Sequence, residues 1–314
     1  MRDAVLRKAK PGLSEASSGQ NEQPRVRNRT LDRNQIEAEA NTMSNPDSDK
    51  VFSNSISRLY ETHLVPLIFE PYARDLVNRL ASRTLTRVLE IAAGTGVVTR
   101  ALASALPERV SIIATDLNQA MLDQAAAVGT ARAVEWRQAN AMQLPFADGM
   151  FDAVLCQFGV MFFPDKSRAF SEARRVLRPG GMFIFNVWDH IGENEFADTV
   201  TTALESLFPQ DPPRFLARTP HGYYDHPTIA RDLAQGGFTK SAQIVTIAAR
   251  SRAQSPQVPA IAYCQGTPLR NEIEARDAAR LGEATEIAAQ AIARRFGQGP
   301  VDGKIQAHIV SIEN

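Results

Sequence analysis

The sequence predicts an α/β fold: an open, mostly parallel sheet with helices on both faces and added cap helices. Three observations lead to it. Short apolar runs at Arg87–Ile91, Val110–Thr115, Phe151–Gln157 and Met182–Trp188 have the character of strands buried on both faces. Stretches of helical spacing alternate with them, as parallel strands joined by crossovers require. The first run closes on an acid and a turn of small residues, Glu90-Ile91-Ala92-Ala93-Gly94-Thr95-Gly96, and Val97 to Leu106 then reads as a helix.

A strand, a glycine turn and a helix N-terminus make a nucleotide-type cofactor pocket. Glycine takes left-handed angles and lets a ligand approach without a Cβ in the way, and the free N–H groups of the first helical turn face the same point. The second run, Val110 to Thr115, ends in Asp116, about twenty residues past the turn, where a carboxylate can accept both ribose hydroxyls. A dinucleotide fingerprint wants a third small residue where Thr99 stands, and no lysine follows for a phosphate-binding loop. A helix begins at Asp116-Leu117-Asn118-Gln119-Ala120-Met121-Leu122. The short strand Val134-Glu135-Trp136-Arg137 then leads to Asn140-Ala141-Met142-Gln143-Leu144-Pro145-Phe146.

The glycine turn resembles the first motif of class I S-adenosylmethionine-dependent methyltransferases, commonly Asp or Glu, x, Gly, x, Gly, x, Gly, with Ala92 in place of the first glycine. Asn140-Ala141 matches the family's usual Asp-Ala, and Arg174-Arg175-Val176-Leu177-Arg178-Pro179-Gly180-Gly181 resembles its helix-to-strand corner before the fifth strand. The resemblance implies a Rossmann-like seven-stranded sheet with S-adenosyl-L-methionine as cofactor. It implies that Glu90, Ala92, Gly94 and Gly96 form the cofactor turn and that Asp116 takes the ribose. Leu117 and Met121 would flank the adenine, Asn140 and Ala141 would meet its edge, and Gln157 would lie near the methionine end.

From Gln157-Phe158-Gly159 to the Pro-Gly-Gly corner the chain looks like the quinone-biosynthesis C-methyltransferases of that superfamily. Their Phe-Gly is normally followed by Arg-Asn, whereas Val160 and Met161 stand here, which favours a sister branch. Arsenite methyltransferases share such a core but need several thiolates. The two cysteines, Cys156 and Cys264, argue against that chemistry.

Along the chain, residues 1–50 are polar and read as a disordered extension, with Met43 a possible natural start. Residues 51–85 read as cap helices broken at Pro66 and Pro71, and residues 86–314 as the cofactor-binding domain. Cap insertions are expected at about 191–240, with the polar and aromatic loop Arg218 to Pro227, and at about 256–303. The sixth strand is expected at Ala242–Ala249 and an antiparallel seventh at Lys304–Ile312. Between them Glu283–Phe296 forms an amphipathic helix through Ile287, Ala291 and Phe296.

The balance of 35 basic against 35 acidic residues gives no field for nucleic acid or anionic lipid, and no apolar run reaches membrane-span length. Two cysteines far apart fit a reducing compartment, so a cytoplasmic monomer or homodimer with a small-molecule partner is expected. Methyl transfer needs a base only if the acceptor must lose a proton. His190, His221 and His226 are the candidate bases. Tyr60, Phe158, Trp188, Tyr223 and Tyr224 are candidate pocket residues, and no metal site is expected. The function read from all this is methyl transfer to a small, partly apolar molecule. The rivals are a cofactor-binding regulatory subunit without transfer activity and a nicotinamide-dependent oxidoreductase. The missing tyrosine-lysine spacing after the fourth strand tells against the second.

Overall fold

The computed structural model describes residues 54–314; the readings made for residues 1–50, including the start at Met43, lie outside the described residues. Helix α1 (Asn54–Leu59) runs on as a π-helical stretch, Tyr60–Phe69, and then as α2 (Glu70–Asn78). The expected breaks at Pro66 and Pro71 are therefore absent. Pro66 lies inside the wider π turns, where the bonding pattern is already shifted from the α register, and Pro71 occupies the first turn of α2, where no N–H is needed. Leu64, Val65, Leu67, Ile68 and Phe69 of the π stretch are buried.

The core alternates β1 (Arg87–Ile91), α3 (Val97–Ala105), β2 (Ser111–Asp116), α4 (Gln119–Val128), β3 (Glu135–Gln138), β4 (Phe151–Gln157), α5 (Lys166–Val176) and β5 (Leu177–Trp188). Helices α6 (Glu195–Leu207), α7 (Phe215–Arg218) and α8 (His226–Gln235) follow, then β6 (Gln243–Ala253). Helices α9 (Gln257–Gln265), α10 (Leu269–Asp277) and α11 (Leu281–Phe296) precede the last strand, β7 (Val301–Glu313). The seven strands lie in the order β3-β2-β1-β4-β5-β7-β6, with β7 antiparallel to both neighbours and the other pairs parallel. The seven-stranded α/β sheet and the insertion of the last strand between the fifth and sixth are as the sequence predicts. The buried stripe of α11 is Ala284, Ala288, Ala289 and Ile292, one step around from the expected Ile287, Ala291 and Phe296, which are half-buried. Among the described residues no helix is long and apolar enough to cross a membrane.

Two polar clusters hold the loops to this frame. Buried Asp152 on β4 accepts from the amide and hydroxyl of Thr86 and, at 2.8 Å, from the amide of Arg87, and it pairs with Arg178. Burial alone would raise its pKa, but these amides and the guanidinium hold it below the usual carboxylate value. On α5, Glu172 accepts from the amide of Leu144 at 2.8 Å. Arg175 donates to the carbonyls of Leu144 and Phe146 and pairs with Glu172 and Asp148. The loop after β3 is thereby fixed at both of its backbone faces.

At the carboxyl ends of β1 and β4 the backbone turns left-handed at two residues that carry side chains, Ala92 (φ 53°) and Phe158 (φ 50°). The next residue, Gly159, has no room for a Cβ: one would lie 2.5 Å from the Ala92 Cβ and 2.8 Å from the Cys156 Sγ. Gly159→Ala is accordingly expected to destabilise the fold by about 1–3 kcal/mol in chemical denaturation. Adding Ala92→Gly should recover part of that loss, whereas strictly additive effects would show that the two strand ends are not in contact.

Candidate active site

The carboxyl ends of the parallel strands open onto a cleft of about 330 Å³, a size suited to a small molecule. Its floor is the turn after β1. The Ala93 amide donates to the Thr115 carbonyl at 2.9 Å, and Gly94 takes φ 56° and donates to Asp116 Oδ2 at 2.8 Å. The second oxygen of Asp116 accepts from the Asn118 amide at 2.8 Å. Burial pushes the Asp116 pKa up, and these amides oppose that shift. Ala92, Gly94, Asp116, Leu117, Asn118 and Met121 line one side of the cleft, and the segment 139–142 lines another. Gln157, Phe158, Gly159 and the segment 162–164 complete it, with Tyr60 of the π stretch over the turn. A Cβ built on Gly94 would come 3.9 Å from the Tyr60 hydroxyl and 3.8 Å from the Met121 methyl, so any side chain there would project among the residues that line the cleft.

A second, mostly apolar cavity of about 70 Å³ adjoins the first; Tyr60, Phe158 and Phe162 line both. Its walls come from the π stretch (Leu64, Ile68, Phe69), from Met161 and Trp188, and from the two cap segments (Asn194, Phe215, Leu216, Pro220, His221, Tyr263, Thr267, Pro268). Trp188 stacks on Phe158 with ring centroids 3.8 Å apart and planes 5° from parallel, and Tyr72 meets both rings edge-on. The left-handed Phe158 is fixed through its amide, which donates to the Asn186 side-chain oxygen at 2.8 Å and to the Asn186 carbonyl at 3.2 Å. None of the lining residues is Lys, Arg, Asp or Glu.

A family model described as a methyltransferase domain matches residues 89–185. The ubiquinone/menaquinone biosynthesis C-methyltransferase UbiE of Ectopseudomonas mendocina is 32% identical over 182 residues, an alignment covering 54% of this chain and 71% of that protein. The chain belongs to the class I S-adenosylmethionine-dependent methyltransferases. An uncharacterized protein of Mycobacterium tuberculosis is 41% identical over 116 residues, 36% of this methyltransferase and 41% of the relative. In fold, the enzyme is similar to phosphoethanolamine N-methyltransferase 2 of Haemonchus contortus, solved with phosphomonomethylethanolamine and S-adenosylhomocysteine. That likeness has a TM-score of 0.51 at 16% identity and covers 84% of this chain and 58% of the other.

The cofactor of this methyltransferase is S-adenosyl-L-methionine, and the cleft fits it: a buried carboxylate at Asp116, an open turn at Gly94, and a buried Gln157 Oε1 without a partner among the described residues. Of the residues predicted for the cofactor, Ala92, Gly94, Asp116, Leu117, Met121, Asn140, Ala141 and Gln157 line the cleft. Glu90 and Gly96 do not. Glu90 is buried behind the turn, where Thr99 donates to its Oε2 at 2.5 Å. Gly96 (φ 84°) caps α3, and a Cβ there would come 2.8 Å from the Trp136 ring.

Of the predicted pocket residues, Tyr60, Phe158 and Trp188 line the second cavity. Tyr223 and Tyr224 are absent from its lining. The Tyr223 hydroxyl donates to Asp232 at 2.9 Å beneath the Lys166 ammonium, and Tyr224 is exposed, edge-on to His190. Among the candidate bases only His221 lines either of these two cavities. His190 accepts from the Gly192 amide, and His226 opens α8 with its ring against His308. Sequence reasoning missed Asn186, an asparagine inside an apolar strand, and Thr267 and Pro268 of the second insertion.

Burial lifts the Glu90 carboxyl to a pKa of about 8, opposed by the Thr99 hydroxyl and Arg100 and reinforced by Asp116. A folded-state pKa above the unfolded value stabilises the fold at low pH, and that contribution is lost as pH rises through about 8. Glu90→Gln, which keeps a neutral side chain at every pH, is expected to melt close to wild type at pH 5 and several degrees higher at pH 9. Parallel melting curves at both pH values would show that Glu90 does not titrate between them.

Proposed function

We propose that this enzyme transfers a methyl group to a small, partly apolar molecule held in the second cavity, from cofactor held in the adjoining cleft. The observation that carries the reading is that the two cavities meet at Tyr60, Phe158 and Phe162, so one holds the donor and the other admits an acceptor directly beside it. When bound, S-adenosyl-L-methionine supplies an electrophilic methyl group on a sulfonium sulfur.

The chain's own work is to bind, orient and keep water out, and orientation can supply much of the acceleration of such a displacement. Asp116 accepts the ribose hydroxyls with the lone pairs that its two amide bonds leave. Leu117 and Met121 flank the adenine, and Asn140 and Ala141 meet its edge in the loop clamped by Glu172 and Arg175. Ala92 and Gly94 form the floor, Glu90 supports it from behind, and Gly96 sets the start of α3. Gln157 Oε1 accepts from the ammonium of the methionine end, and Tyr60 closes the cleft above it.

The acceptor side carries no formal charge among its lining residues, which favours an uncharged molecule over a phosphate ester or a polyanion. The relative UbiE is named for quinone biosynthesis. The buried Val160 and Met161 after Phe158-Gly159 support a related apolar acceptor here rather than that same one. Balanced charge supports a small molecule over nucleic acid, and the free cysteines support action in the cytoplasm.

Calorimetric titration with S-adenosyl-L-methionine tests the cleft. Wild-type binding should weaken by about 10–100-fold in Asp116→Ala, the cost of hydrogen bonds to a charged group. Equal affinity in the two proteins would remove Asp116 from the cofactor, and no binding to folded wild type would remove the cleft.

A further inference from the structure

The second cavity is lined by one imidazole, His221, whose ring is held by a hydrogen bond. His221 is buried, and its Nδ1 lies 2.8 Å from the Asp189 carbonyl, a group that can only accept. Nδ1 therefore carries the hydrogen, and the neutral ring has its lone pair on Nε2, which has no partner among the described residues. The ring lies 6.0 Å from Trp188, which stacks on Phe158, so a row of flat rings joins His221 to the wall shared with the cofactor cleft. Burial holds the imidazole at a pKa of about 4, with His190 lowering it further and Asp189 opposing, so it is neutral at physiological pH. The Asp189 carboxylate is itself engaged by Gln306 at 2.6 Å and by His308 at 3.2 Å.

The other titratable residues lining this cavity are Tyr60 and Tyr263. Burial raises both phenols, so they stay protonated and cannot act as bases near neutrality. The Tyr263 hydroxyl has no hydrogen-bond partner among the described residues and is available as a donor. The cavity thus offers an acceptor molecule aromatic faces, one hydroxyl donor and one lone pair that can take a proton. Its volume of about 70 Å³ is below the ~150 Å³ of an apolar cavity that takes benzene, so it suits the edge of a single ring entering from the junction with the cleft.

We propose that the acceptor is an uncharged single-ring molecule with an ionisable, phenol-type hydroxyl, that His221 Nε2 removes the hydroxyl proton, and that the oxygen receives the methyl group. The inference rests on the two-cavity reading above. In the balanced step an oxygen lone pair forms the new carbon–oxygen bond, the electron pair of the broken carbon–sulfur bond stays on sulfur, and the O–H proton, made acidic as that bond forms, goes to the weakly basic Nε2. The imidazolium then releases its proton to water as the ether leaves.

The test compares wild type with His221→Gln at pH 8, using 4-methylphenol, protonated in solution, and 4-nitrophenol, already ionised. Wild type should convert 4-methylphenol to its methyl ether. The variant should lose about 10²-fold or more of kcat with 4-methylphenol, and at most a few-fold with 4-nitrophenol, which needs no base. Nitrogen NMR of cofactor-free wild type should show the His221 Nε2 resonance moving on addition of 4-methylphenol, a readout independent of turnover and of how the variant folds. Equal losses with both phenols, an unmoved Nε2 resonance, methylation at carbon, or no transfer to either phenol by a wild type that binds cofactor would each overturn the proposal. Failure of the cofactor titration itself would instead strike the reading beneath it.

Discussion

Two left-handed backbone residues shape the functional face of the sheet. Ala92 and Phe158 end adjacent parallel strands, and each turns the chain aside at an angle that costs a residue with a Cβ about 1–2 kcal/mol. The surrounding structure enforces both turns. A β2 carbonyl captures the amide after Ala92, and a buried β5 asparagine captures the amide of Phe158 through side chain and backbone together. β1 and β4 are the neighbours at which the order of strands reverses, so their carboxyl ends flank the crevice where a ligand binds in such sheets. Strain and function share the same residues here, as is common where a ligand must meet backbone closely.

The polar groups around that crevice are arranged by depth. Asp152 and Glu172 are tied down by arginines and amides, anchoring the start of β1 and the loop after β3. Asp116 is buried yet faces the cleft, with each oxygen already holding one amide. Glu90, deeper still, is shielded by Thr99 and retains its proton to higher pH. Carboxyl groups therefore serve as anchor, cleft wall and neutral filler, according to what their neighbours donate. Around the second cavity, polarity falls to a few groups set among aromatic faces, and that contrast separates a polar cleft from an apolar cavity.

Much of the cleft was legible in the sequence, because its residues follow directly on strands. Once the apolar runs are placed in a parallel sheet, Gly94, Asp116, Asn140 and Gln157 fall at carboxyl ends, where ligands bind. Less of the second cavity was legible, because its walls come from segments far apart in the chain. Nothing near Thr267 or Pro268 signals that α10 begins beside Tyr60, and nothing near Asn186 signals that a strand asparagine holds a neighbouring turn. Tyr223 read as a pocket residue, whereas the fold brings Asp232, nine residues on, within reach of its hydroxyl. Pro66 looked like a break because periodicity presumes α turns, and a π-helical stretch follows a different spacing.

The two cavities draw on different parts of the chain. Apart from Tyr60, every residue lining the cofactor cleft falls within positions 89–185, the span that matches the family model. Of the residues lining the second cavity, only Phe158, Met161 and Phe162 do; the rest come from the N-terminal helices, the last residue of β5 (Trp188), the segment after it and the insertion between β6 and β7. Since β6 pairs with β7 along its whole length, up to Ala253 opposite Val301, that insertion is held at both ends by the ladder. Its helices supply no residue to the lining of the cleft. The walls of the cleft and of the second cavity can therefore be altered separately, the first within one contiguous stretch of chain and the second within the cap.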